Sequence, residues 1–180
     1  PNSYEFGRKD TRSSILKRMS LEQDIILQKA WESKSDNLPF KTPGEALILA
    51  SVIEKETGLK SERRIVASVF INRLKKGMPL QTDPTVIYGI TKGKEILGRG
   101  LRQSELRKDT PWNTYLRKGL PPTPIANPGE ESIFAALNPE KTDFIFFVAD
   151  GTGGHAFATN LSDHNQNVAN WRAIEKNSKD

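Results

Sequence analysis

Apolar positions recur at helical spacing through the first half of the chain, and the pattern changes character about halfway. From Thr11 to Trp31 the residues Ile15, Leu16, Met19, Ile25, Ile26 and Ala30 predict one or two amphipathic helices with charges on the opposite side. Thr42-Pro43-Gly44-Glu45 reads as a helix entrance: Thr42 suits the N-cap, Pro43 the first helical position, and Glu45 completes a capping-box spacing. That helix is expected to run from Pro43 to about Thr57, with Gly58 placed to end it. A further helix, Glu62 to Lys76, follows Ser61 with Ile65, Val66, Val69, Phe70 and Leu74 at helical spacing, and Gly77 closes it.

Beyond Gly77 the signals shorten. Met78 to Gly89 mixes Pro84 with polar and aromatic residues, which predicts short extended pieces and turns. Pro121, Pro122, Pro124 and Pro128 between Gly119 and Gly129 exclude a helix or an inner strand and predict a structured loop. Glu130 to Leu137 reads as a short helix, and Asp143 to Ala149 as a strand buried on both faces. The glycines of Asp150-Gly-Thr-Gly-Gly-His155 predict a tight turn into a second strand, His155 to Thr159, making a hairpin. A final helix from about Ser162 to Lys176 completes an α+β fold, helix-rich, with a small hairpin and a C-terminal helix.

Composition narrows the chemistry. A chain of 180 residues with 36% hydrophobic content is enough for one packed domain. No window approaches the length of apolar sequence that crosses a bilayer. The chain opens Pro1-Asn2-Ser3-Tyr4 without a methionine, as a processed or excised piece would. The absence of cysteine excludes disulfides, thiolate metal sites and cysteine nucleophiles. The net charge of +5 favours an anionic partner, but acidic residues interrupt most basic stretches, Arg73 to Lys76 among those read as solvated surface. No basic stripe with interleaved aromatics marks a nucleic-acid footprint, so no nucleic-acid partner is expected. His155 and His164, with Asp150 and Asp163 nearby, match no zinc spacing; no metal and no cofactor is expected.

The stretch from Ala46 to Gly58 carries the most information. Its middle is apolar on every side, so the helix should be buried, and Glu54 and Glu56 both fall in its last turn. Either one lies on an apolar stripe, and spacing does not choose between them. Apolar surroundings and the negative end of the helix dipole both disfavour a charged carboxylate there. A carboxylic acid kept protonated is the group that glycosidic bond cleavage needs for its leaving oxygen. The competing reading is a pairing of either glutamate with Lys55, Arg63 or Arg64 at the helix end. A second cluster, Gln81, Thr82, Asp83, Thr85 and Tyr88, concentrates groups that suit a polyhydroxylated ligand, and equally suits a turn stabilised by Asp83 and Thr85. Trp112, Asn113 and Tyr115 add aromatic and amide groups of the kind that orient sugars.

These strings, in order, carry a resemblance: Leu49 to Thr57, Val69 to Leu74, Leu80 to Gly89, Asn113 to Tyr115, Gly119 to Pro122, Ile125 to Gly129, Phe147 to Gly151, and Gly154-His155. In them the chain resembles the YceG-like (MltG) endolytic murein transglycosylases. The resemblance implies a lysozyme-like catalytic core, with residues 1–40 a helical remainder leading into a catalytic unit over 41–180, and with an upstream anchor and LysM-like part missing. It assigns Glu56 as the catalytic acid; Thr57 beside it, with Gln81, Asp83, Tyr88, Asn113 and Tyr115 of the polar and aromatic clusters, is expected to bind substrate. The implied reaction cleaves the bond between N-acetylmuramic acid and N-acetylglucosamine without water: Glu56 protonates the glycosidic oxygen, and the C6 hydroxyl closes on C1 to leave a 1,6-anhydro end. The implied setting is peptidoglycan at the periplasmic face of a bacterial inner membrane, beside peptidoglycan synthases, with membrane contact only through the missing anchor. The alternatives are a non-catalytic peptidoglycan-binding module, and a hydrolase that uses Asp83 together with Glu56.

Overall fold

A computed structural model describes residues 2–177; Pro1 and residues 178–180, the outer ends of the two expected units, lie outside the described residues. The chain folds as α1 (Arg12–Glu32), α2 (Pro43–Glu56), a 3-10 turn (Lys60–Glu62) leading into α3 (Arg63–Lys75), α4 (Asp83–Thr91), α5 (Gln103–Leu106), α6 (Glu130–Leu137), the strands β1 (Phe146–Ala149) and β2 (His155–Ala158), and α7 (Leu161–Asn177). The α+β class expected from sequence is the one observed.

Helix α2 is the centre of the molecule. Leu49, Ala50, Ser51, Val52 and Ile53 are all buried, and α6 packs across α2, α1 and α3 to close the core around them. A fully buried Leu or Ile contributes about 1.5–3 kcal/mol each, so this helix anchors whatever its last turn presents. The entrance forms as expected: Thr42 Oγ1 accepts the Glu45 N–H, with Pro43 at the first helical position. The reciprocal half of the capping box differs, because the Glu45 carboxylate accepts from Lys41 N–H one residue earlier. At the other end the helix stops because Thr57 turns extended, with φ −133°, and not through a left-handed Gly58. Gly77 does close α3 in the left-handed region, at φ +63°.

Several expectations need correction. Residues Arg12 to Glu32 form one continuous helix, within the one or two expected, but Leu16 and Ile25 are each 63% exposed; Leu27 and Ala30 of α1 are buried in the core, and Ile26 and Trp31 pack partly buried against it. The segment read as turns and extended pieces contains α4: Pro84 stands in the first turn, where its missing N–H costs nothing, so it starts a helix. The strand expected over 143–149 pairs only from Phe146, and the four residues that pair, Phe146–Ala149, are half-buried and not buried on both faces. A two-stranded ribbon lying between α3 and α7 cannot be covered fully on both faces.

The hairpin registers Phe146 with Ala158 and Ala149 with His155. Gly151 and Gly153 take φ +88° and +94°, and Asp150 Oδ1 accepts from Thr152 N–H, Thr152 Oγ1 and Gly154 N–H, so these glycines shape the turn. The proline-rich loop is pinned to α2, where Ser51 Oγ accepts the Ile125 N–H at 2.9 Å. Phe70 of α3 meets Phe147 of β1 edge-on at 5.8 Å, which ties the hairpin to the core.

Candidate functional site

The two glutamates of the last turn of α2 have opposite surroundings. Glu54 Oε2 accepts from Gly129 N–H at 3.0 Å and Ser132 Oγ at 2.7 Å, at the start of α6. Burial works to raise its pKa, but the hydrogen bonds from Ser132 and Gly129, together with the charge of Arg63, hold the carboxyl below the usual glutamate range. Glu54 is thus an ionised carboxylate at a helix N-terminus, where such a charge is favoured. Glu56 lies at the C-terminal end of its own helix and opens on a different space. Burial pushes its pKa up; the Thr82 hydroxyl, donating to Oε2 at 2.6 Å, opposes this, Asp83 adds to it, and His155 opposes it, with the net shift upward. Neither glutamate pairs with Lys55, Arg63 or Arg64; Arg63 pairs with Glu131, and Arg64 Nε donates to the Asn138 carbonyl.

The space that Glu56 faces is a cleft of about 430 Å³ between the end of α2, the start of α4, β1 and α7. Gln81, Asp83, Tyr115, Arg73, His155 and His164 line it with Phe146 and Phe147. Tyr115 OH donates to Asp83 Oδ1 at 2.6 Å, and burial followed by that bond raises the phenol pKa, so the pair is a neutral phenol on a carboxylate. Thr82, at the N-cap position of α4, makes no side-chain cap; its hydroxyl is turned to Glu56 and donates there. A forgone cap of this kind costs about 1 kcal/mol. Beneath it Thr85 Oγ1 donates to the Thr82 carbonyl and shares a 2.8 Å hydrogen bond with Thr114 Oγ1, a buried hydroxyl network that fixes the turn.

Of the residues singled out by sequence, the structure gathers Glu56, Gln81, Asp83 and Tyr115 and sets three apart. Asn113 is 0% exposed: Nδ2 donates to the Leu106 and Lys108 carbonyls, and Oδ1 accepts the Tyr115 N–H at 2.9 Å, so it braces the loop that carries Tyr115. Thr57 is buried, accepting the Leu59 N–H and donating to Glu62 Oε2. Tyr88 packs edge-on against Trp112 at 5.6 Å and borders a separate groove with Thr91 and Ile125. For Asn113 and Thr57 the polar group was legible but its direction was not, and for Tyr88 the groove it borders was not.

Sequence reasoning missed Thr82 as a partner of Glu56, and it missed Arg73. Read as part of a solvated basic stretch, Arg73 is only 7% exposed, because that face of α3 is covered by β1 and the turn before α4. Its Nε donates to the Ile145 carbonyl at 2.7 Å, its Nη1 to Pro79 and Leu80 carbonyls and to Gln81 Oε1, and its guanidinium carbon lies 5.3 Å from the Phe146 ring centre. Burial lowers its pKa, and an arginine so lowered is still a cation.

The two histidines divide differently. His155 Nδ1 meets Glu62 Oε2 at 2.7 Å, and its backbone N–H donates to Glu62 Oε1, so Glu62 fixes the ring at the cleft wall. A Cβ at Gly154 would stand 2.7 Å from that Glu62 oxygen, which is why a glycine precedes the histidine. His164 stacks on Phe146 at 4.9 Å, with burial and then the charge of Arg73 lowering its pKa. Asp150 is taken up by its own turn and Asp163 by Asn160, so neither stands with a histidine as a metal-binding group.

The arrangement is a buried carboxyl of raised pKa that lines one cleft with a carboxylate–phenol pair, a set of groups that can protonate a leaving oxygen and support positive charge beside it. Comparison with known proteins gives the lineage. The chain is 39% identical over 166 residues to the endolytic murein transglycosylase of Bacillus subtilis strain 168, covering 92% of this chain and 45% of that protein. It is 35% identical over 176 residues to the endolytic murein transglycosylase of Streptococcus pneumoniae serotype 2 strain D39, covering 94% and 31%. The crystal structure of a yceG-like protein from Listeria monocytogenes matches with a TM-score of 0.79 at 36% identity, covering 92% of this chain and 53% of that one. The chain therefore spans about half, or less, of the length of these relatives. A family model described as the YceG-like family matches residues 1–170, and with these relatives it places the chain in that family.

Proposed function

We propose that this chain is the catalytic part of an endolytic murein lytic transglycosylase. The observation that carries the reading is Glu56, whose pKa is raised by burial and which opens on a cleft beside the Asp83–Tyr115 pair. The names of the relatives supply the substrate class. In the proposed reaction Glu56 gives its proton to the oxygen linking N-acetylmuramic acid to N-acetylglucosamine, and the C1–oxygen bond breaks. The C6 hydroxyl oxygen bonds to C1, and its proton returns to the Glu56 carboxylate, leaving a 1,6-anhydro end. Asp83, oriented by Tyr115, faces the positive charge that develops on the ring, and Gln81 offers its side-chain amide to the sugar.

Mass analysis of purified murein digested by the parent and by Glu56→Gln tests this. Large anhydro-ended fragments from the parent alone support it. Reducing ends indicate hydrolysis with Asp83 as a second carboxylate, and no release from the parent indicates a glycan-binding module; either result defeats the proposal. Normal turnover by Asp83→Asn removes Asp83 from it. The proposal extends to nascent strands at the periplasmic face of the inner membrane, alongside peptidoglycan synthases, with an anchor outside these residues making the membrane contact. Family membership supports that setting, and recovery of a synthase with the full-length protein after crosslinking in cells tests it.

A further inference from the structure

Arg73 is a cation with no ionic partner in the wall of the cleft. None of the ion pairs among the described residues includes it; its carbonyl and amide acceptors are all neutral. A buried charge held only by neutral groups is costly, and proteins retain one where something else completes it. The guanidinium has five N–H donors, and Nε and Nη1 account for three. Among the described residues Nη2 donates to nothing. The buried side-chain polar atoms without partners among the described residues are Arg63 Nε, Thr110 Oγ1 and His164 Nδ1, so Nη2 is not sealed and opens on the cleft that Arg73 lines.

A second, independent feature lies beside it. Gln81 holds φ +54°, a left-handed conformation that a non-glycine residue adopts at a cost, kept here by its N–H bond to the Thr114 carbonyl and by Arg73 Nη1 on Oε1. With Oε1 engaged by the guanidinium, the Gln81 NH2 is left to donate into the same cleft. Two open donors, one of them charged, suit the two oxygens of a carboxylate. Of the other charged groups of the cleft, Asp83 keeps its charge but is held by Tyr115 and makes no ion pair with Arg73 among the described residues, and Glu56 is neutral in the form that donates its proton.

We propose that Arg73 Nη2 and the Gln81 amide form a carboxylate-binding subsite that reads the side arm of muramic acid. The inference rests on the murein reading above and adds to it the substrate feature recognised. Two sources offer the same chemistry: the lactyl carboxylate of peptide-free strands, and the free carboxylates of the stem peptide.

Four substrates separate the cases: peptide-stripped strands, the same strands with lactyl carboxylates converted to methylamides, peptide-bearing strands, and peptide-bearing strands with carboxylates amidated. For the parent, KM is expected to be lower for the charged member of one pair by about tenfold to a hundredfold, the range of one charge-assisted hydrogen bond, with kcat nearly unchanged. The pair that shows the difference names the source. Arg73→Gln is expected to bring the charged member to the KM of the neutral one, and Arg73→Lys to keep part of the difference. Equal KM values within both pairs for the parent, a measurement that needs no variant, would overturn the inference, as would full discrimination by Arg73→Gln. Direct binding of the same strands separates this from the parent reading: a parent that prefers charged strands yet cleaves none keeps the subsite and loses the transglycosylase, whereas cleavage without charge preference does the reverse.

Discussion

Asn113→Ala distinguishes a brace from a ligand contact. The side chain is fully buried and makes three hydrogen bonds, to the Leu106 carbonyl at 2.9 Å, the Lys108 carbonyl at 2.8 Å and from the Tyr115 N–H at 2.9 Å. Each contributes about 0.5–1.5 kcal/mol net, so losing all three should cost about 2–4 kcal/mol. For a domain of this size that corresponds to a fall in Tm of about 4–16 °C. Tyr115 then loses the bond that fixes its backbone, and with it the aim of its hydroxyl at Asp83, so murein turnover should fall alongside stability. Thermal and urea unfolding of the purified variant, followed by digestion well below its Tm, reads both quantities. An unchanged Tm with activity abolished would refute the reasoning, because it would mean that Asn113 touches substrate and does not hold the loop.

Opposite stability profiles are expected for the two glutamates of α2. The folded-state pKa of Glu56 is raised above its ordinary value of 4.5, so its ionisation detracts from stability as pH rises through 4.5 towards the folded value; Glu56→Gln should unfold at a higher temperature at neutral pH, with the gain fading below pH 4.5. Glu54 is lowered, so its contribution is present above 4.5 and lost as pH falls through the folded value, and Glu54→Gln should be destabilised at neutral pH and not in acid. Thr82→Val removes a hydroxyl that favours the charged form of Glu56, so the alkaline limb of the kcat/KM profile for murein digestion should move to higher pH; movement to lower pH would contradict the role given to that bond.

Much of the scaffold was legible because its signals are local. Thr42-Pro43, the helical apolar runs of α2 and α3, Glu130 to Leu137 and the glycines after Asp150 each specify an element within a few residues, and each forms. Helix α4 was also legible in principle, since Pro84 directly after Asp83 is a helix-start signal; its polar and aromatic neighbours drew the reading towards turns. What spacing could not supply is direction. Glu54 and Glu56 fall on equivalent apolar stripes, and they differ only because Gly129 and Ser132, distant in sequence, satisfy one, while Thr82 and an open cleft meet the other. Asn113 and Thr57 carry groups suited to sugars, but tertiary packing turns them onto the protein itself, and the ring of Tyr88 lies against Trp112 beside a separate groove. Arg73 was missed for the converse reason: nothing in a basic helix end tells that a hairpin some seventy residues later will cover it.

All of this depends on Glu56 carrying a proton where an ordinary glutamate has lost it. Carboxyl-13C NMR of the glutamate-labelled protein, with Glu56→Gln assigning the resonance, measures that directly. The account expects the Glu56 signal to titrate above 4.5 and Glu54 to titrate below it; a Glu56 carboxyl already ionised at pH 4.5 would contradict it.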